Sequence, residues 1–452
     1  MQVRNLPLAQ GRYARVLASF VAALAMSACM APLALPGAKN QAVPPEQTEI
    51  SADYVMGGAY KADWRRALRD GTDLGALAQR ADAVAIARSP KVFELRAARA
   101  DSAAENAAWL PSVRPVATAG FGGVASGVGI SVSQMIYDFS QTATRRKRAD
   151  IARVMTELDF WDARNETVLQ AAEAYLAAVA ATDIIAARNA LERRLAKIAA
   201  REDDRLKAGV AGQGDALFVD VSRQENRRET IRQRALLAQA QAEVAQATEQ
   251  PFARAVPGLK RLVESCHILP DAPYAPALMR ARMAIELARI DQQATEKALF
   301  PRIMGQAQAV GNGKGQTTET AQITLEGGTI AGGGARLRIE AAKQRTQAAA
   351  KAFGQLAQDL GRDVMRLRMD SQAQAASLGD YAALIATNER SLALFEDRFA
   401  TGAAQSSEAV RLEVERTANI IAISEARAAI GRNCLSAARL YGALSPVEFE
   451  TQ

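Results

Sequence analysis

The residue types that most often carry chemistry are scarce in this chain. His267 is the only histidine among the 452 residues, and the segment around it is rich in proline. No second histidine and no cluster of Cys, Asp and Glu stands at metal-ligand spacing. No serine and acid can be assembled around His267 into a catalytic triad. We therefore expect no catalytic residue, no metal, no cofactor and no enzymatic activity.

Cys29 is a candidate for covalent modification. The basic residues Arg4, Arg12 and Arg15 precede a short apolar segment, Val16 to Ala25, which leads into Met26-Ser27-Ala28. This pattern predicts a signal peptide over residues 1–28. The small residues before Cys29 resemble a bacterial lipobox, in which the cysteine is lipidated; an ordinary cleavage site near Ala28 is the alternative. Residues 29–73 then form a proline- and alanine-rich tether and N-terminal segment.

Cys266 and Cys434 are the two other cysteines. An exported protein meets an oxidising compartment, where disulfides persist. An intrachain disulfide and two unpaired buried thiols are both compatible with the sequence.

The charges alternate instead of forming blocks. The chain carries 56 basic and 49 acidic residues, for a formal net charge of +7. Because basic residues are interspersed with acids, the sequence predicts no nucleic-acid surface.

The element that must organise any site is a very long helix over residues 140–207. This stretch contains no glycine or proline, and a continuous helix of its length would extend roughly 100 Å. Its apolar positions recur every three or four residues, and many of them are alanine. Such a rod needs partner helices along its whole length.

The pattern of the chain occurs twice. Repeat 1 (74–250) contains a β-hairpin at 112–139, where apolar and small residues alternate, followed by the long helix and a shorter helix. Repeat 2 (277–445) contains a hairpin at 302–334, a long helix at 335–398 and a last helix. A proline-rich linker (251–276) joins the repeats, and a tail (446–452) ends the chain.

The two hairpins cannot be stable alone. Each arm is about ten residues long, which is the length that a tilted strand needs to cross a bilayer. Every strand edge in a membrane must be closed, so the chain has to form oligomers. Three copies would supply twelve strands, an even number typical of outer-membrane barrels.

These features together resemble the TolC-type outer-membrane channels, also called outer-membrane factors. The resemblance rests on the Leu110-Pro111 and Phe300-Pro301 starts of the hairpins, on the run 131–139 that leads into the long helix, and on paired Arg-x-x-x-Gly turns. The turn positions are Arg205 and Gly209 in repeat 1, and Arg398 and Gly402 in repeat 2. The order and duplication of these features carry the resemblance.

The resemblance implies a mainly α-helical homotrimer, with a twelve-stranded β-barrel on an α-helical periplasmic tunnel. It implies location in the outer membrane, contact with outer-membrane lipid, a lipid anchor at Cys29, and docking to a periplasmic membrane-fusion adaptor and an inner-membrane transporter. The expected function is the exit duct of a tripartite efflux system with a resistance pump. The outer-membrane component of type I protein secretion, with an ABC transporter, is the alternative, and a lipid-anchored periplasmic coiled-coil scaffold without a pore is the second.

The resemblance also implies a constriction where the helices meet at the Arg-x-x-x-Gly turns. The candidate gate residues are Asp215, Asp220, Glu408 and Arg411, which would form a carboxylate ring or a mixed-charge clasp. The alternative is that Asp215 and Glu408 only stabilise the first turns of their helices.

Overall fold

The structure is a computed structural model that describes residues 67–68, 71–118, 127–209, 212–252, 258–264, 266, 275–312, 317–327, 334–400 and 404–446. All of these lie within one compact unit, Ile50–Gln452. The predicted signal peptide, most of the tether with Cys29, His267 and Gly402 lie outside the described residues.

The first half of the chain begins with two short helices, α1 (Asp73–Arg88) and α2 (Lys91–Asn106), the second extended by a 3-10 turn at Ala107–Trp109. Strands β1 (Ser112–Thr118) and β2 (Gly127–Tyr137) follow, and then helices α3 (Gln141–Lys207) and α4 (Gln213–Thr248).

The second half repeats this order. A short helix α5 (Leu259–Glu264) leads to α6 (Pro276–Lys297), strands β3 (Arg302–Asn312) and β4 (Thr317–Glu326), and helices α7 (Gly334–Ala400) and α8 (Ser406–Leu440). Both α3 and α7 have 67 residues. The four strands form one antiparallel sheet in the order β1-β2-β3-β4.

The long helices agree closely with the prediction. Helix α7 is continuous through three glycines, Gly354, Gly361 and Gly379. A glycine in a helix costs roughly 0.5–1 kcal/mol, which packing against neighbouring helices offsets.

Helix α3 is the central element. It packs against α1, α2, α4, α6 and α8, while α7 packs against α6 and α8. The predicted stripe faces these partners, and its buried members include Val168, Ala172, Tyr175, Val179, Leu191 and Leu195. The small alanines of the stripe let neighbouring backbones approach closely.

A buried ion pair joins α1 to the middle of α3. The guanidinium of Arg164 donates to both carboxylate oxygens of Asp82, at 2.8 and 2.7 Å, and the Ser445 hydroxyl donates to the same carboxylate. Both charged side chains are almost fully buried. Because the pair is bidentate and hydrogen-bonded, it fixes the orientation of α1 on α3.

The C-terminal segment is held on the same part of α3. The Asn165 side-chain oxygen accepts hydrogen bonds from the backbone N–H groups of Leu444 and Ser445, at 3.0 and 3.1 Å. The Trp161 indole donates to the Ser445 carbonyl at 3.1 Å. These bonds satisfy backbone groups that would otherwise be buried without a partner.

Cys266 and Cys434 are bonded to each other in the structure, with a sulfur–sulfur distance of 2.12 Å and a Cα–Cα distance of 6.2 Å. The bond joins the linker between the repeats to α8. Both residues belong to the core around Leu176 and Leu435, and Cys266 also forms a β-bridge with Leu68.

Gly442 packs closely against Trp161, so a substitution there tests how the C-terminal segment is held on α3. Its φ is +66°, and a Cβ there would lie 2.6 Å from the Trp161 ring. We expect Gly442→Ala to lower the free energy of unfolding by about 2–4 kcal/mol, from backbone strain plus overpacking. Gly71→Ala is the matched control, because its φ is +76° but nothing lies within 4 Å; it should cost only roughly 1–2 kcal/mol. Equal thermal midpoints for the two variants in detergent would contradict the packing at Gly442.

The disulfide closes a long loop between the repeats, with a sequence separation of 168. Constraining the unfolded chain over such a loop stabilises a protein by about 2–5 kcal/mol. We therefore expect Cys434→Ala to lower the thermal midpoint, and the denatured wild type to show no thiol labelling at Cys266 or Cys434 without reductant. Labelling of both cysteines, located by peptide mapping, would show that the bond is absent in the purified protein.

Candidate tunnel entrance and membrane surface

The ends of α3 and α7 come together with the starts of α4 and α8. Helix α3 ends at Lys207, and Gly209, two residues later, adopts a left-handed conformation with a φ of +73°. This conformation is the common helix stop that glycine adopts without steric cost. The predicted turn of repeat 1 therefore lies between α3 and α4, and its counterpart lies between α7 and α8.

Ion pairs and hydrogen bonds connect the two repeats at this end. Arg201 on α3 donates to both carboxylate oxygens of Glu396 on α7, each at 2.9 Å. Arg205 donates to the Ala404 carbonyl at 3.4 Å. Arg194 pairs with Glu413 on α8 at 3.2 Å. Both partners of the Arg201 pair are about half exposed, so that pair contributes at most about 1 kcal/mol.

One contact at this end is buried. Glu202 is only 1% exposed, and its carboxylate accepts a hydrogen bond from the Ser406 hydroxyl at the start of α8. The other carboxylate oxygen of Glu202 is also buried and has no hydrogen-bond partner. A buried carboxylate depends strongly on the bonds that it does form.

The predicted gate residues lie at this end. Within one chain, Glu408 pairs with Arg398 at 3.5 Å, and the Arg411 guanidinium lies over the Phe218 ring, 5.7 Å from its centroid. The ring or clasp that these residues would form in an assembly stays a prediction. Asp215 is half-buried in the first turn of α4, and Asp220 is exposed.

First-turn positions also suit these carboxylates for a simpler reason. Asp215 and Glu408 are acidic residues in the first turns of α4 and α8. A negative charge is favourable there because of the helix dipole. Stabilisation of the helix start and a role in a constriction are both compatible with this placement of Asp215 and Glu408.

A cleft of about 240 Å³ lies beside these contacts. It is bounded by α3, α7 and α8, with an apolar floor that includes Phe395. Its charged lining consists of Arg194, Lys197, Arg201, Glu396 and Glu413.

A larger groove of about 640 Å³ runs along α3, α4, α7 and α8. Most of the α3 and α8 residues that line it are alanines, while α4 and α7 contribute amide side chains, Leu236 and Tyr381. Glu243, Glu425 and Arg432 also line the groove, so its surface combines small apolar residues with amide and charged groups.

Two carboxyl groups of α3 lie near cations of α8. Burial raises the pKa of Glu173, although the charge of Arg432 opposes the shift. Burial likewise raises the pKa of Asp183 against the charge of Arg427. Both carboxyl groups therefore take up a proton at a higher pH than they would if exposed.

The sheet has one apolar and one polar face. The register places residues of the same face opposite one another across the strands. One face carries exposed apolar side chains, among them Val113, Val128, Ile130, Ile323 and Leu325. Gln134 and Glu319 interrupt this face near its two ends. An exposed group of large apolar side chains of this kind is typical of contact with another apolar surface or a membrane.

The other face is lined by hydroxyl and amide groups. The hydroxyls of Ser112 and Ser133 are 2.7 Å apart, and Gln306 donates to Ser131 at 3.2 Å. Gln322 donates to the Gln306 side-chain oxygen at 3.2 Å. This alternation of apolar and polar residues is typical of strands between lipid and a water-filled lumen.

The sheet is open in the single chain, because β1 and β4 are its edge strands. Exposed strand edges are not stable in a lipid environment. The sheet can serve in a membrane only when other strands cover both edges.

Solved structures of bacterial channels share this fold. CusC, solved in a study of its folding and transmembrane channel formation, is one of them. It superposes with a TM-score of 0.71 at 16% identity, over 84% of this chain and 93% of CusC. The CmeC outer membrane channel of Campylobacter jejuni gives 0.66 at 11% identity, over 84% of this chain and 87% of CmeC. The MtrE outer membrane channel of Neisseria gonorrhoeae, in its open state, gives 0.68 at 17% identity, over 84% and 90%.

This chain has the fold of these channels. The three superpositions each cover 84% of this chain and between 87% and 93% of the channel. No protein-family model matches the sequence, and no curated protein matches it in sequence. The likeness is therefore one of structure, at a level of identity where sequence comparison alone finds little.

Among the described helices, α3 contains a window that is long and apolar enough to cross a membrane, but 61% of that window is buried inside the structure. Packing in the helical core accounts for its composition. Within the described residues, no group of three or more His, Cys, Asp or Glu side chains could hold a metal ion.

Sequence reasoning missed the buried Glu202–Ser406 contact and the Arg201–Glu396 pair. Neither has a local signal, because both join residues of different repeats that are far apart in the sequence. The recurrence of the Arg205 pattern at Arg398 was a hint, because it marks equivalent positions near the ends of the two long helices.

We predict that Ser406→Ala loosens the entrance. Loss of the hydroxyl leaves the Glu202 carboxylate buried without its hydrogen bond, which costs about 1–3 kcal/mol. Amide hydrogen exchange should accelerate over the end of α3 and the start of α8. Glu408→Gln is the matched control: it weakens an exposed pair worth about 1 kcal/mol or less, and it should change exchange little. Equal protection in wild type and Ser406→Ala would show that the buried contact does not hold the helix ends.

Proposed function

We propose that this chain is the outer-membrane exit duct of a tripartite efflux system and belongs to the TolC-type channel family. The observation that carries the proposal is the open four-stranded sheet, with one apolar and one polar face, joined to two 67-residue helices. The fold shared with the CmeC and MtrE outer membrane channels supports it.

The proposed assembly is a homotrimer. Three copies would join β4 of one chain to β1 of the next and close a twelve-stranded barrel, which leaves no strand edge exposed. The apolar face would then contact lipid and the hydroxyl-rich face would line the pore. Lipidation of Cys29 would add an anchor to the same membrane.

The helices would form a tunnel through the periplasm, with the α3–α4 and α7–α8 turns at its far end. A periplasmic membrane-fusion adaptor would dock there and connect the duct to an inner-membrane transporter. The alanine-rich groove along the four long helices would become part of the tunnel wall. Conduction through this tunnel would be passive, and the partner transporter would supply the energy.

Conductance measurements test both the proposed channel and the proposed gate at its periplasmic entrance. The purified protein should migrate as a heat-modifiable trimer and give a small, steady conductance in planar bilayers. Removing the exposed cross-repeat pair in the double variant Arg201→Ala, Glu396→Ala should raise that conductance, because fewer contacts hold the ends of α3 and α7 together.

The matched control is the double variant Asp363→Ala, Arg366→Ala. It removes an equally exposed ion pair, 3.1 Å long, within α7 and away from the helix ends. We expect no change in its conductance. An unchanged conductance in the entrance variant would refute the gate, whereas a soluble, non-conducting protein would favour the scaffold alternative.

Efflux and type I secretion use the same tunnel, and the fold is compatible with both. Deletion of the gene separates them: sensitivity to small toxic compounds supports a resistance pump as partner, while loss of one secreted polypeptide supports an ABC transporter.

A further inference from the structure

The disulfide encloses nearly all of repeat 2. Cys266 lies between α5 and α6, and Cys434 lies near the end of α8, with a sequence separation of 168. The loop between the two cysteines therefore contains α6, the β3–β4 hairpin, α7 and most of α8. One covalent bond joins the start of this repeat to its last helix.

The two repeats begin with helices of different length. Helix α1 of repeat 1 has 16 residues, seven of them buried, whereas α5 of repeat 2 has 6 residues and buries Leu259 and Leu262. A helix as short as α5 is marginal in water and depends on tertiary contacts. The disulfide therefore gives repeat 2 an attachment that α1 obtains from its own buried face and from the Arg164–Asp82 pair.

A further segment of the chain meets the linker and α8 at this bond. Leu68 forms a β-bridge with Cys266, and the Ala67 N–H donates to the Ala443 carbonyl at 3.0 Å. Ala67 and Leu68 are both buried. The segment before repeat 1, the linker and the segment after α8 are thus packed together around one disulfide, and loss of the bond affects all three.

Both cysteines are buried in the finished core. Cys266 is 8% exposed and Cys434 is 4% exposed. The helices pack tightly beside them, because a Cβ at Gly431 would lie 2.9 Å from Leu176 of α3 and 3.5 Å from Val263 of α5. Thiol–disulfide exchange needs direct contact between sulfur atoms, so a second protein cannot reach either cysteine after this core has closed.

We propose that a dithiol–disulfide oxidase of the compartment that receives the exported chain oxidises Cys266 and Cys434 before the core closes, and that this step is a condition for assembly. The proposal rests on the proposed outer-membrane function, which places both residues in an oxidising compartment. Its partner is defined by chemistry: a protein with a reactive disulfide, whose reduced form carries two thiols.

The exchange takes two steps. The thiolate of one cysteine attacks a sulfur of the oxidase disulfide, which forms a mixed disulfide and releases one oxidase thiolate. The thiolate of the other cysteine then attacks the sulfur of the first, which forms the Cys266–Cys434 bond and releases the second oxidase thiolate. The two oxidase thiolates take up the two protons that the protein thiols lose, and two electrons pass from the protein to the oxidase.

Pulse-labelled export of the full-length chain tests the proposal in bacterial cells with and without their periplasmic dithiol oxidase. Samples are quenched in acid, denatured and labelled with a maleimide polymer that adds mass at each thiol, and unheated samples report the trimer. Without the oxidase we expect labelling at Cys266 and Cys434, located by peptide mapping, and about tenfold less trimer. Added oxidised glutathione should restore both the bond and the trimer.

Two variants separate oxidation from packing. The double variant Cys266→Ser, Cys434→Ser removes the bond, and its trimer yield should be equally low with and without the oxidase. Val263→Ala is the matched control, because it trims α5 where that helix faces α8 but keeps both thiols. Its trimer yield should still depend on the oxidase, as the yield of the wild type does.

Reduction of the purified protein tests the order of oxidation and burial. We expect dithiothreitol to leave the bond intact in the native protein and to reduce it after denaturation. Equal reduction rates in the two states would overturn the proposal, and so would a full wild-type trimer yield without oxidase or added oxidant. Equal yields for the wild type and the double cysteine variant would also overturn it. An oxidised, dithiothreitol-resistant monomer that never forms trimers would instead refute the proposed channel and support early oxidation.

Discussion

Lateral packing of the two 67-residue helices is the constraint on which the rest of the structure depends. A helix roughly 100 Å long cannot be covered by a compact core, so its apolar stripe must meet other helices at every level. Helix α3 achieves this with α1, α2, α4, α6 and α8 as successive neighbours. The short helices and residues 443–445 thus pack against the middle of α3 and do not form a separate core.

The middle of α3 is where most of the specific contacts collect. The bidentate Arg164–Asp82 pair, the hydrogen bonds of Asn165 and Trp161, and the Cys266–Cys434 bond all lie at this level. A buried ion pair adds little net stability compared with apolar packing, but it tolerates few alternative arrangements. Alanine-rich helices can shift along one another with little loss of packing free energy. Polar contacts that can form in only one register therefore fix the position of each helix along α3.

The two ends of the long helices are built differently from the middle. At one end, exposed pairs such as Arg201–Glu396 lie around the buried Glu202–Ser406 contact and around small apolar clusters that include Leu195 and Phe395. At the other end, the chain forms an open sheet that exposes apolar side chains. The open strand edges are the feature that the proposed assembly would cover.

The sequence by itself determined the elements: the absence of glycine and proline from 141–207, the alternation in the hairpins and the duplication predicted the helices, the strands and their order. It also placed the ends of the two long helices just after Arg205 and Arg398, because the Arg-x-x-x-Gly pattern recurs in both repeats. Only the tertiary structure decided that Cys266 and Cys434 meet, that Glu408 pairs with Arg398 while Arg411 lies over Phe218, and that Phe139 stacks on Phe300. These contacts join residues far apart in the sequence or depend on backbone geometry at a turn, and no local pattern encodes which of several similar charges or rings will be neighbours once the helices are packed.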